Sequence, residues 1–598
     1  MCGIAGILTT ESYQNNLEHL IGSMQKALQH RGPDDQGVYI AKDRQAAFAH
    51  TRLSILDLSP AGHQPMSTPN GRYWITFNGE IYNFHQLRSQ LKAQGEQFYS
   101  QTDTEVILKL YQRIGTDCVK QLRGMFAFAI WDDLEKTCFI ARDPLGIKPL
   151  YYWHSGSTLI FASELRSLLA SGLPQICLSQ EGLYGYLTTG SVPEPLTLIE
   201  NICMLEAGNW LFWQAGKVQK SQYWQIAFAA ESIAAPEAIA MVRKALLDSI
   251  GHHFVSDVPV GVFLSGGIDS TAVVALSRQI QSGSLNTYSI AFEESEWNEG
   301  DLAQKVANKF NTEHTEYKIT ASMGRSLLPQ YLAAIDQPSI DGFNTFCVSQ
   351  IAHKSGMKVV LSGLGGDELF GGYRSFQKVP RMVHFGQQLQ PLKPLVAAIG
   401  MGLERWGRSA QVRRLGDFLQ QFPSSVVAYR SFRGIFSHWE ACQIMKSYLP
   451  DRELPSGNSH YIDSNSLPSL EDEISYMEIS HYMRNQLLRD SDVMSMVWGL
   501  ELRVPLVDHT LLETIACIPS NLRLASGKQL LIKAVPEIPE WIVNRPKQGF
   551  FFPYERWMQA EWQDYFREIN CPANIPLKPW YRRWSIAILQ HWWRTISR

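Results

Sequence analysis

The stretch Val258-Pro259-Val260-Gly261-Val262-Phe263-Leu264-Ser265-Gly266-Gly267-Ile268-Asp269-Ser270 decides the fold of the larger part of this chain. Its first seven residues read as a buried apolar strand. Ser265-Gly266-Gly267 breaks the strand, and a helical pattern follows at once over residues 270–279. Glycines let another group approach the backbone closely, and a helix N-terminus offers unpaired N–H groups, so the junction is an anion cradle. It lacks the G-x-x-x-x-G-K-[ST] pattern of phosphoryl-transferring ATPases. Outward from it, strands at 287–292 and 358–361 alternate with helical segments at 237–254 and 301–310. That alternation predicts a parallel α/β sheet. Beyond about residue 375 the chain reads as mainly helical. A second glycine run, Ser362-Gly363-Leu364-Gly365-Gly366-Asp367-Glu368, follows the strand Val359-Val360-Leu361. Asp269 and Asp367 thus fall at C-terminal strand ends, where open α/β sheets bind ligands. Two carboxylates beside an anion cradle suit Mg²⁺, which prefers oxygen ligands, and acids at a helix N-terminus also suit the helix dipole.

Residues 2–215 read differently. Segments 72–77, 126–131 and 138–141 are short, apolar and bounded by turns, Asn78-Gly79 is a turn signal, and 103–114 is helical. Packed antiparallel sheets with a few helices are expected. The pattern breaks at Gln214-Ala215-Gly216-Lys217 and stays Ala/Ser/Pro-rich to Pro236, which reads as a linker before a second domain at 237–598. The full length of 598 residues agrees, since single cores stop growing at about 250–300 residues. The net charge of −3 gives no footprint for nucleic acid or an anionic membrane. The nine cysteines are scattered without zinc-ligand spacing. No signal peptide and no long apolar run is present, so a cytoplasmic protein is expected.

Cys2 follows only Met1. Removal of Met1 would give Cys2 both a thiol and a free α-amine. A thiol of pKa about 8.5 is mostly protonated at neutral pH, and an α-amine of pKa about 7.7–8.0 can serve as its base. Arg52 lies within the apolar stretch His50–Ile55, where an arginine suits bidentate grip of a carboxylate. Asn78 and Gly79 supply an amide side chain and a backbone N–H, the donors of an oxyanion hole. Asp103 can hold an ammonium or cap the helix that starts beside it. The charges in Arg489-Asp490-Ser491-Asp492 and Glu501-Leu502-Arg503, inside an apolar stretch read as helical, must be paired or line a cleft. Lys547 alone reads as a surface lysine.

The N-terminal segments CGIAGI, RGPD, RLSILD, NGEIYN and TDTEVIL resemble the class II glutamine amidotransferases over about 210 residues. SGGIDS resembles the PP-loop of enzymes that split ATP between the α- and β-phosphates. Together they extend the resemblance over nearly the whole chain, to the glutamine-hydrolysing asparagine synthetases and β-lactam synthetases. It implies an α+β N-terminal-nucleophile (αββα) glutaminase domain joined to an α/β PP-loop synthetase domain with a parallel sheet and a helical C-terminal part. It implies Cys2 as nucleophile, Asn78 and Gly79 as oxyanion hole, and glutamine held by Arg52, Leu53, Ser54, Ile55, Leu56, Glu80 and Asp103. ATP would contact Leu264, Ser265, Gly266, Gly267, Asp269, Ser270, Ile290, Ser362 and Gly363. Asp269 and Asp367 would hold Mg²⁺, and Lys547 would stabilise the adenylate-forming transition state. Leu364 stands where the family usually has an acid tied to β-aspartyl adenylate formation. The expected substrates are glutamine, ATP and aspartate or another carboxylate such as a uronic-acid sugar. A homodimer is compatible with the resemblance. A non-catalytic glutamine or nucleotide sensor on the same fold is the rival of another class.

Overall fold

The computed structural model describes residues 2–10, 16–229, 231–294, 300–455, 467–545 and 552–597. Its N-terminal part holds two six-stranded antiparallel sheets. The first runs, edge to edge, Ile202–Met204, Tyr151–Ser155, Thr158–Ala162, Gly3–Leu8, Ala46–Arg52 and Asp35–Ile40. The second runs Lys217–Gln222, Asn209–Gln214, Thr137–Arg142, Gly124–Asp132, Tyr73–Ile81 and Met66–Ser67. Strand periodicity explains the layering. In Gly3–Leu8 the side chains of Ile4 and Leu8 enter the core between the sheets, with Trp131 and Trp213. Ala5 and Ile7 face the other way, onto Ile21 and Met24 of the helix Leu17–Ala27. Helices Phe84–Ala93 and Asp103–Ile114 cover the outer face of the second sheet. Because both faces of each sheet are covered, the first strand is buried at all six positions. Helix, sheet, sheet, helix is the expected αββα order.

The linker expected from Gln214 onward begins later in the chain. Ala215 and Gly216, taken as the start of the linker, have φ of 49° and 79° and form a tight hairpin turn. Lys217–Gln222 pairs antiparallel with Asn209–Gln214 and completes the second sheet. Two consecutive left-handed residues are what a two-residue hairpin loop requires.

The C-terminal part is built on a five-stranded parallel sheet in the order Glu313–Ile319, Asn286–Phe292, Val260–Phe263, Val359–Leu361 and Glu501–Arg503. Helices Ala235–His253, Ile268–Ile280 and Gly300–Phe310 bury one face. Helices Ala321–Ala334 and Phe343–Lys354 bury the other. Glu501–Arg503 corrects the helical reading of that region: three residues are too few to show a period. The two parts share cores. Leu53 and Ile55 pack on Val359 and Met496, and Tyr184 and Leu187 belong to the cluster of Tyr331 and Trp584. Fully buried Arg31 reaches Asp492 at 2.7 Å, and Arg123 reaches Asp508 at 2.9 Å. Among the described residues no helix is long and apolar enough to cross a membrane.

Candidate active site

The first centre gathers around Cys2. Its backbone N–H donates to Asn78 Oδ1 at 2.9 Å, and its carbonyl accepts from Arg31 Nε at 3.0 Å. Arg31 also reaches Glu164 and Asp492, so one buried guanidinium fixes the terminus against both parts of the chain. A cavity of about 30 Å³ is lined by Cys2, Arg52, Leu53, Ile55, Leu56, Gly79, Glu80 and Asp103, all expected site residues, with Gln64 and Thr102 in addition. Ser54 is not part of that lining: its backbone N–H donates to Asp34, and its carbonyl accepts from Lys358 across the interface at 3.5 Å.

The electrostatics fit a thiol nucleophile acting on an amino acid. Burial raises the Cys2 thiol, against the lowering effects of the N-terminal charge, the Leu53 N–H and Arg52. A raised thiol is protonated at neutral pH and needs a base, which an α-amine supplies. The Arg52 guanidinium is held by the carbonyls of Leu56, Asp57 and Ser59, neutral partners that fix its direction without cancelling its charge. Asn78 is buried. Its Oδ1 is taken by Cys2, and its Nδ2 has no acceptor among the described residues. An orphaned buried donor costs about 1–3 kcal/mol, a cost recovered when an oxyanion accepts from it. Gly79 has φ of 153°, and a Cβ there would stand 2.1 Å from the Met125 carbonyl oxygen, so only glycine keeps this backbone beside Cys2. Asn78→Ala is expected to lower glutaminase turnover by about 10²–10³-fold and leave ammonia-driven synthesis intact, checked by comparing the two nitrogen sources.

Asp103 does not cap its own helix. Thr102 does, accepting from Glu105, while the Asp103 carboxylate accepts from the Ile81 N–H at 2.9 Å. Burial, opposed by backbone N–H donors, pushes Asp103 up to about 6. A substrate ammonium held at Asp103, as the resemblance implies, would need the charged form. The kcat/KM for glutamine is therefore expected to fall about tenfold per pH unit below 6, where Asp103 takes up a proton. Asp103→Asn should remove that limb from the pH profile.

The second centre lies at the strand ends of the parallel sheet. A cavity of about 270 Å³ is lined by Leu264, Ser265, Gly267, Asp269, Ser270, Ile290, Ser362 and Gly363, eight of the nine expected nucleotide residues. Gly266 is the exception and supplies the turn at φ of 70°. Ser265 Oγ and Ser270 Oγ lie 3.1 Å apart across the mouth of the loop. Tyr288, Asn344, Asp341, Asp490, Leu364 and Leu502 also line the cavity. The sequence reading missed Lys528. Its buried ammonium pairs with both Asp269 and Asp367. A Cβ on Gly366 would stand 2.2 Å from Asp269 Oδ1, and one on Gly372 would strike Asp367, so glycines cradle both carboxylates. Nothing in Ser526-Gly527-Lys528 separates this lysine from a surface one, since its partners are more than 150 residues away in sequence. Two oxygen ligands drawn together beside a phosphate-sized loop fit Mg²⁺, which keeps waters and takes phosphate oxygens. Lys547 lies outside the described residues.

The two centres share a wall. Side chains alternate along Glu501-Leu502-Arg503: Leu502 lines the nucleotide cavity, while Arg503 NH2 lies 3.5 Å from Glu80 of the glutamine pocket. Burial raises Glu80 well above the usual carboxylate range, with Glu501 adding to the effect.

A terminal thiol pocket fused to a strand-end nucleotide pocket defines a glutamine amidotransferase coupled to an ATP-dependent ligase. Residues 1–224 match the family described as glutamine amidotransferase domain, and residues 241–590 match the family described as asparagine synthase. The chain belongs to the asparagine synthase family and is of the glutamine-hydrolysing asparagine synthetase type. Asparagine synthetase [glutamine-hydrolyzing] 1 of Bacillus subtilis (strain 168) is 34% identical over 577 residues, covering 95% of this chain and 90% of its own. A putative asparagine synthetase 2 of Methanocaldococcus jannaschii is 38% identical over 64% of this chain and 77% of its own. Amidase chry2 of Gibberella zeae is 26% identical over 96% of this chain and 92% of its own.

Proposed function

We propose that the chain hydrolyses glutamine at Cys2, passes the ammonia inward, and forms an amide on an acyl-adenylate made from ATP and a carboxylate. Aspartate is the proposed acceptor, giving asparagine, glutamate, AMP and pyrophosphate. The shared strand Glu501–Arg503 carries the reading, because it sets the nucleotide cavity directly against the glutamine pocket.

In this scheme Arg52 and Asp103 grip the glutamine carboxylate and ammonium. The Cys2 α-amine takes the thiol proton, and sulfur attacks the side-chain amide carbon. Asn78 Nδ2 and the Gly79 N–H hold the oxyanion. The amide nitrogen leaves as NH₃ with that proton, and water cleaves the thioester to glutamate. The buried apolar residues Leu53, Ile55, Val359 and Met496 lie between the two parts and form a dry wall for a neutral base. In the second pocket the acceptor carboxylate oxygen attacks the α-phosphorus and pyrophosphate departs from the Ser265–Ser270 cradle. Ammonia then attacks the acyl carbon and AMP leaves. Asp269 and Asp367 would hold Mg²⁺, which supplies charge neutralisation at the phosphates.

A second acceptor is favoured by one observation. Leu364 is an apolar part of the cavity wall where the asparagine synthetase pattern has an acid, and it cannot take a proton or a metal. A further cavity of about 330 Å³, lined by Tyr184, Tyr429, Tyr482, Ile340 and Gln486, meets the nucleotide cavity through the chain neighbours Ile340–Asp341 and Gln486–Leu487, and would house the tail of a larger acid. The test is AMP release with aspartate and with a panel of larger carboxylic acids. Aspartate-dependent AMP supports the first reading. AMP with a larger acid alone supports the second, and AMP with neither removes the adenylation scheme.

A further inference from the structure

We propose that the helical segment spanning residues 375–408 docks on an anionic lipid surface. Between Glu368 and Asp417 the sequence contains one acid, Glu404. It is buried, accepting from Gln420 Nε2 and the Trp439 N–H. The exposed charges over the same stretch are all cationic: Arg374, Lys378, Arg381, Lys393, Arg405 and Arg408. Among the described residues none of these six joins an ion pair. The whole-chain charge of −3 hides this local excess.

The apolar exposure coincides with it. Of fifteen large hydrophobic residues exposed among the described residues, seven fall within 385–415, and Trp406, at 79%, is the most exposed of all. Helix Lys393–Trp406 buries Val396, Gly400 and Glu404, spaced by four. That face packs on helix Ala410–Gln421 so closely that a Cβ on Gly400 would stand 2.7 Å from the Gly416 carbonyl oxygen. The packing turns Leu395, Ile399 and Trp406 outward, with Leu392 just before them and cations on either side.

Charge selects the occupant. A second copy would press Lys393, Arg405 and Arg408 against their own counterparts, which opposes self-association through this face. A helix with an exposed apolar ridge, a terminal tryptophan and flanking Lys and Arg matches the pattern of helices that lie in the interface of an anionic bilayer.

The test is cosedimentation of the full chain with vesicles of phosphatidylcholine alone and with about 30% phosphatidylserine, at low and high salt. The expected result is at least about tenfold more protein on the anionic vesicles, reduced by salt. Ile399→Glu with Trp406→Glu should abolish it while glutaminase and AMP-forming activities stay unchanged. Lys393→Glu with Arg405→Glu provides an independent charge-reversed variant with the same expected loss. Equal binding to both vesicle types, no binding, or binding that survives both double substitutions overturns the proposal. So does a dimer by light scattering that the same substitutions dissociate, which would assign the face to a second copy. Capture by polyglutamate that ignores the loss of the apolar ridge would assign it to an acidic polymer.

Discussion

A Cys2→Ala chain is expected to lose glutamine-driven amide synthesis by about 10⁴-fold or more, while ammonium ions drive the same synthesis at the native rate. The size follows from covalent chemistry: without sulfur no thioester forms, and the remaining oxyanion donors act on a carbon that nothing attacks. The selectivity follows from architecture. Cys2 enters the strand Gly3–Leu8, whose neighbours belong to the first sheet, and none of its side-chain atoms lines the nucleotide cavity. AMP release and glutamate release, measured with glutamine and then with ammonium chloride, separate the two activities. Loss of both would contradict the two-centre scheme. A chain that retains Met1 should behave like Cys2→Ala, because the amine that serves as base is then acylated.

Lys528→Met carries the second large effect and the opposite selectivity. Synthesis should fall by about 10³-fold or more with either nitrogen source, while glutamate release at Cys2 persists. Lys528 is the buried cation between Asp269 and Asp367, and burial works against its charge while the two carboxylates raise its pKa. Removing it leaves two half-buried anions facing each other without their shared cation, which destabilises the charged pair. Added Mg²⁺ should therefore raise the melting temperature of the variant more than that of the native chain. A melting temperature that ignores Mg²⁺ in both proteins would remove the metal role from these aspartates.

Much of this was legible in the sequence because the signals were local. Ser265-Gly266-Gly267 announced a strand-to-helix turn that the structure contains. The 103–114 helix was bounded correctly, because its cap, its acidic first turn and its terminal glycine are adjacent in the chain. Arg52, Gly79, Glu80 and Asp103 were named and lie around one cavity. What escaped was set by distant partners. Lys528 looks like any lysine until the fold carries it to Asp269. Glu501-Leu502-Arg503 looked helical because its neighbours are, and pairing with Val359–Leu361 decides it. Ala215-Gly216 looked like the end of a domain because the strand after it, Lys217–Gln222, is polar, as suits an edge strand.

The shared strand also couples the two chemistries mechanically. Its backbone is bonded to Val359–Leu361, so it moves as a stiff bar and not as separate side chains. A ligand that pushes Leu502 aside must displace the guanidinium behind it, and with it the charge balance felt by Glu80. Crosstalk between donor hydrolysis and acceptor activation is thus a matter of leverage across a single pleat, and bulk added at Leu502 will detune both half-reactions at once.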